Sequence, residues 1–124
     1  MRVPIAYALH HPDRVDLPVP TLDLARVASL SFEAPDTDAF PCLRLAREAA
    51  AAGGTAPCVL NAANEIAVHA FAQGRLGFLG IAAVVEHTLD QLGAARLHSF
   101  DSLYAADAEA RAVAGEAVSA GVAS

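Results

Sequence analysis

The 124-residue chain contains no lysine and no tryptophan; all eight of its basic residues are arginine. A Schiff base, a phosphate-loop lysine and a lysine general base are therefore excluded. Aromatic residues make up only 6% of a composition that is 55% hydrophobic, and most of the remainder of that fraction is alanine and aliphatic side chains. Alanine has the best helix propensity and is depleted in strands, so the chain is suited to closely packed helices. Its 14 acidic residues exceed the basic ones and give a net charge of −6. That balance argues against nucleic acid or an anionic membrane surface as the main partner. The two cysteines, Cys42 and Cys58, have no C-x-x-C spacing, and a reduced, cytoplasmic compartment is expected. Each follows a proline near a predicted helix start, where a small apolar filler is expected ahead of a reactive thiol. No run approaches the roughly 18 apolar residues of a membrane span. The apolar stretch from Val3 to Leu9 lies at the short limit of a signal-peptide core, and no clear small-residue cleavage site follows it.

Residues 1–38 read as a connector. Met1 to Leu9 fits one short helix, with Pro4 tolerated in its first turn. Pro12, Pro18 and Pro20 favour extended backbone and turns. Val27 to Phe32 alternates apolar and small residues and is expected to form one short strand, which would need a partner sheet from elsewhere. Residues 39–124 read as a helical domain with four helices. The first is predicted from Pro41 to Ala52, with Leu43, Ala46 and Ala50 as its apolar row and Gly53-Gly54 as its stop. The second runs from Ala56 to Gln73, with Thr55 as N-cap and Leu60, Ala63, Ala67, Ala70 and Phe71 inward. The third runs from Phe78 to Leu92 and is poorly capped, with Ile81, Val84, Val85 and Leu89 inward. The fourth runs from Asp101 to Ala120, with Leu103, Ala106, Ala110, Val113, Ala114 and Ala117 inward. Short connections between such helices favour a mainly α fold, a four-helix up-down bundle.

Site chemistries are sparse. A di-metal carboxylate bundle needs Glu-x-x-His on two helices, but Ile66, Val84 and Ala95 stand three residues before His69, His87 and His98. Glu65 and His69 lie one turn apart and could share a cation, although no further ligand is evident. Gly74, Gly77 and Gly80 match neither nucleotide loop pattern. His10-His11, beside Pro12, read as turn residues. No triad is defined by spacing alone. One feature stands out: Asn61, Asn64 and Glu65 share a face of the second helix, and His69 continues the row. Asparagine is a poor helix-interior residue because its amide competes for backbone hydrogen bonds. Two of them together mark either a solvated face or a polar network that fixes how this helix docks.

Leu60-Asn61-Ala62-Ala63-Asn64-Glu65-Ile66 resembles the C-terminal helical domain of the deoxyxylulose-phosphate reductoisomerases. The resemblance extends over essentially the whole chain. Met1 to Ala6 looks like the close of that family's catalytic domain, and Pro12-Asp13-Arg14 and Leu30 to Asp36 look like its linker. Phe40 to Ala46 looks like its first bundle helix, and Asp107 to Arg111 like its last. Leu79-Gly80 stands where the family has a polar helix cap, and His11 where it has an aromatic. The resemblance implies an enzyme that isomerises and reduces deoxyxylulose phosphate to methylerythritol phosphate with NADPH and a divalent cation, Mg or Mn. It also implies a homodimer, and nucleotide-binding and catalytic domains upstream of Met1. On this reading the chain holds no catalytic, cofactor or metal residue of its own and is inactive alone. Only Met1 matches a family position, a methionine that borders the substrate pocket. The rival expectation is a free-standing helical module that binds a protein through the Asn61, Asn64 and Glu65 face.

Overall fold

The computed structural model describes residues 1–121. They form six helices, α1 (Arg2–His10), α2 (Leu24–Val27), α3 (Pro41–Ala52), α4 (Ala56–Ala72), α5 (Phe78–Leu92) and α6 (Phe100–Ala120), and no strand is present among the described residues. No helix among them is long and apolar enough to cross a membrane. The chain divides into two units, Met1–Ala34 and Pro35–Ser124.

The first unit has no core, since none of residues 1–34 is buried. Tyr7 meets the His11 ring edge-on at 5.5 Å, and the Arg14 guanidinium lies 5.0 Å over the Tyr7 ring. His10 Nδ1 lies 2.9 Å from the Ala6 carbonyl. The two histidines thus serve local structure, as their place beside Pro12 suggests. The strand expected at Val27–Phe32 does not form. Asp23 Oδ1 accepts from the amides of Ala25 and Arg26 at 3.0 and 3.3 Å, which draws Val27 into the turn of α2. The cap outweighs a weak alternation that has no neighbouring strand to pair with.

In the second unit, Asp36 opens the approach to α3 by accepting from the amides of Asp38 and Ala39 at 3.1 and 2.8 Å. The helix boundaries follow the prolines and glycines: Pro41 and Pro57 lie in first turns, and Gly53 and Gly93 carry positive φ at helix ends. α4 packs against α3, α5 and α6, and α5 also touches α3 and α6. The core of this bundle joins Leu45 of α3, Ala63 and Ala67 of α4, Ile81, Val84 and Val85 of α5, and Ala114 and Ala117 of α6. A second cluster joins Val59, Ala62 and Ala110. The α4–α6 seam is therefore made largely of alanine, whose small side chain lets two helix backbones approach closely.

Several inward assignments need correction. On α3 the buried row is Leu45 and Ala49, while Leu43, Ala46 and Ala50 are exposed. Phe71 is exposed, Leu60 and Leu89 are half-buried, and Leu103, Ala106 and Val113 are half-buried rather than core. Alanine occupies so many positions on these helices that the apolar stripe has no unique phase.

Thr55 plays a different part from the expected cap. Its side chain caps nothing. Instead its amide donates to the Ala95 carbonyl at 2.9 Å, and its Oγ1 accepts from the Ala95 amide at 2.9 Å. This reciprocal pair ties the α5–α6 connection to the start of α4, and Thr55 is buried there. Thr55→Val keeps the shape and leaves the Ala95 amide without an acceptor. The expected loss is about 1–3 kcal/mol in urea unfolding, with Thr55→Ser retaining most of the stability. α6 starts one residue earlier than expected because Ser99 and Ser102 form a reciprocal capping box.

Candidate functional site

The polar face of α4 is built on α6. Asn61 Nδ2 donates to Glu65 Oε1 at 3.1 Å, one turn along α4. Glu65 Oε2 accepts from Arg111 at 2.8 Å, and Arg111 Nε donates to Asp107 Oδ2 at 2.7 Å. Arg111 is thus held by carboxylates from two helices, with Asp107 on its own helix placed one turn earlier. The Asp107 and Glu65 carboxylates push the Arg111 pKa upward. The Arg111 hydrogen bond, then the Asn61 amide, hold the Glu65 carboxyl below its ordinary value. Asn64 is half-buried on the same helix. His69 does not join Glu65: its Nε2 lies 2.8 Å from Gln73 Nε2, and Gln73 Oε1 accepts from Arg75. The shared cation site considered for Glu65 and His69 is therefore not assembled, since each turns to another partner.

A second clamp links α3 to α5. Arg44 donates to Glu86 at 2.8 Å and to Glu48 at 3.1 Å, and these carboxylates, Glu86 foremost, raise its pKa. Cys58 Sγ donates to the Leu103 carbonyl at 3.7 Å, and burial, with Asp107 nearby, pushes this thiol up, away from the reactive thiolate. Cys42 is exposed. Among the described residues no three His, Cys, Asp or Glu side chains converge as a metal site would require. The residues present thus do not fit a resident cation, and no reaction step is assigned to one here. Met1 is 93% exposed.

What the arrangement does is lock helices. The ion pairs are exposed and each contributes modestly. The sign of the Glu65 effect is fixed: its folded pKa is lowered, so its stabilising contribution is complete above the unfolded value of about 4.3 and is lost as pH falls through the lower folded value. Glu65→Gln is expected to lower Tm at neutral pH, and that gap is expected to close on acidification to about pH 3. A gap that persists unchanged to acid pH would contradict the pairing. Arg111 and Asp107 were not singled out as partners by the α4 pattern, yet their i,i+4 spacing on α6 was a usable signal.

A family model described as the DXP reductoisomerase C-terminal domain matches residues 1–113. The 1-deoxy-D-xylulose 5-phosphate reductoisomerase of Xanthomonas euvesicatoria pv. vesicatoria (strain 85-10) is 58% identical over 113 residues, covering 91% of this chain and 28% of that protein. That of Pseudomonas syringae pv. syringae (strain B728a) is 53% identical over 116 residues, covering 94% and 29%. The crystal structure of the Zymomonas mobilis reductoisomerase in complex with NADPH superposes with a TM-score of 0.86 at 44% identity, over 94% of this chain and 31% of that one. A reductoisomerase structure in complex with magnesium gives 0.84 at 36% identity, over 94% and 32%. The chain thus spans less than a third of the relatives it matches.

Proposed function

The chain belongs to the DXP reductoisomerase C-terminal domain family, and from that premise we propose that it serves as the helical scaffold domain of an NADPH-dependent reductoisomerase. The whole enzyme would convert deoxyxylulose phosphate to methylerythritol phosphate in isoprenoid biosynthesis, in the cytoplasm and as a homodimer. The observation that carries this reading is the 58% identity over 91% of the chain, which includes the α4 polar face. NADPH and the divalent cation would be held by residues of the nucleotide-binding and catalytic regions ahead of this domain, because this chain offers no converging ligand set. Residues 1–38 would be the end of the catalytic region and the linker, with 39–124 as the bundle domain. Asn61, Asn64 and Glu65 would be structural, positioning α4 through Arg111, and Met1 would border the substrate pocket.

Two outcomes follow for the chain on its own. Purified, it is expected to show no NADPH oxidation with deoxyxylulose phosphate and manganese; measurable turnover would sink the scaffold reading. In hydrogen exchange, amides of the bundle helices are expected to be strongly protected while those of residues 1–38 exchange freely, because the connector buries nothing. Equal protection of both parts would contradict the division.

A further inference from the structure

The bundle leaves one apolar groove open, between the start of α3 and the start of α5. Its walls include Phe40, Pro41, Cys42, Phe78 and Leu79, and no charged side chain lines it. Phe40 is 63%, Phe78 65% and Leu79 75% exposed. The Phe71 ring extends the patch, meeting Phe78 edge-on at 5.9 Å. The two helices that open onto the groove, α3 and α5, both begin without a capping side chain. Large exposed side chains gathered around a groove mark an interaction surface, in contrast to single apolar residues scattered over a protein. Uncapped helix starts at its rim leave backbone N–H groups that a partner's carbonyl or carboxylate oxygens would satisfy.

We propose that this groove is the seat of the catalytic region that precedes the domain in a reductoisomerase chain. The proposal rests on the reading above and adds the surface to it. The polypeptide enters the bundle through Asp36 to Phe40, and Phe40 is itself a wall of the groove. Whatever lies ahead of the connector is thereby tethered beside this surface at a high effective concentration. A second copy of the chain would have to reach the same surface from dilute solution. The relatives, of which this domain is less than a third, carry such a region. The recognition chemistry is an apolar side-chain cluster rimmed by hydrogen-bond acceptors.

Cys42 is an exposed thiol in the groove wall and reports its occupancy. The test compares the isolated chain with a chimera in which the matching part of the Xanthomonas euvesicatoria enzyme is replaced by this chain. N-ethylmaleimide labelling of the Cys42 peptide is followed by mass spectrometry. Labelling is expected to slow at least about tenfold in the chimera, as for any site opened only by local undocking. Phe78→Asp, at an exposed position that the isolated bundle tolerates, is expected to restore it. An active chimera whose Cys42 labels as fast as in the isolated chain overturns the groove and leaves the scaffold reading standing. An inactive chimera with a protected Cys42 supports the groove and sinks that reading. An inactive chimera with a reactive Cys42 overturns both. Protection of Cys42 in the isolated chain, with a doubled mass in solution, would assign the groove to a second copy and overturn the proposal.

Discussion

Gly54→Ala is expected to unfold a large part of the population, because two costs fall on one residue. Gly54 has φ +55, in the left-handed region, and a Cβ there would collide with the Ala95 carbonyl oxygen, with the carbonyl carbon only 3.2 Å away. The left-handed conformation costs about 1–2 kcal/mol for a residue with a Cβ. Displacing a backbone carbonyl adds about 1–3 kcal/mol, and here that carbonyl also accepts from the Thr55 amide. A unit of this size is stable by only about 5–10 kcal/mol in total. Gly53→Ala separates the two terms, since Gly53 has φ +68 and nothing within 4 Å of its built Cβ. Urea unfolding followed by far-UV circular dichroism should show Gly54→Ala clearly lower in midpoint than Gly53→Ala. Equal midpoints would mean that the Ala95 loop yields and that the tie to α4 carries little.

Ala63→Leu is expected to be the second most damaging change. Ala63 is fully buried on α4 in a cluster with Ala67, Ala114 and Ala117, all at most 2% exposed. A leucine there has no space between two closely set backbones. Overpacking of this kind costs about 1–3 kcal/mol, and more where the neighbours are backbone. Ala51→Leu, at an exposed site on α3, adds the same atoms and is expected to shift the unfolding midpoint within about 0.5 kcal/mol of zero. If both variants unfold together with the unaltered chain, the alanine seam is not tightly packed.

The helix limits were legible because their signals are local. Pro41, Pro57, Gly53, Gly74 and Gly93 act within a turn of their own position, and α3 to α6 begin and end within a residue of where those signals put them. Which face a helix buries is a tertiary matter. On α3 the pairs Leu43/Ala46 and Leu45/Ala49 are equally plausible as stripes, and only packing against α4 and α5 selects the second. The Val27–Phe32 strand failed for a local reason of another kind: Asp23 offers two hydrogen bonds at once, whereas a strand offers none until a partner arrives. The polar face of α4 was visible as Asn61, Asn64 and Glu65, but its partner lies 46 residues along the chain at Arg111. No period within one helix encodes that contact. The role of Thr55 was hidden in the same way, because its acceptor is used by the Ala95 amide 40 residues later.

The central claim is that this chain is a working C-terminal domain whose catalytic partner lies ahead of it. The chimera with the Xanthomonas euvesicatoria enzyme tests it most directly, with NADPH oxidation in the presence of deoxyxylulose phosphate and manganese as the readout. With the chain in place, kcat/KM is expected within about tenfold of the parent enzyme, while the parent lacking this domain shows none. A chimera that folds but is as inactive as the truncated parent would contradict the account.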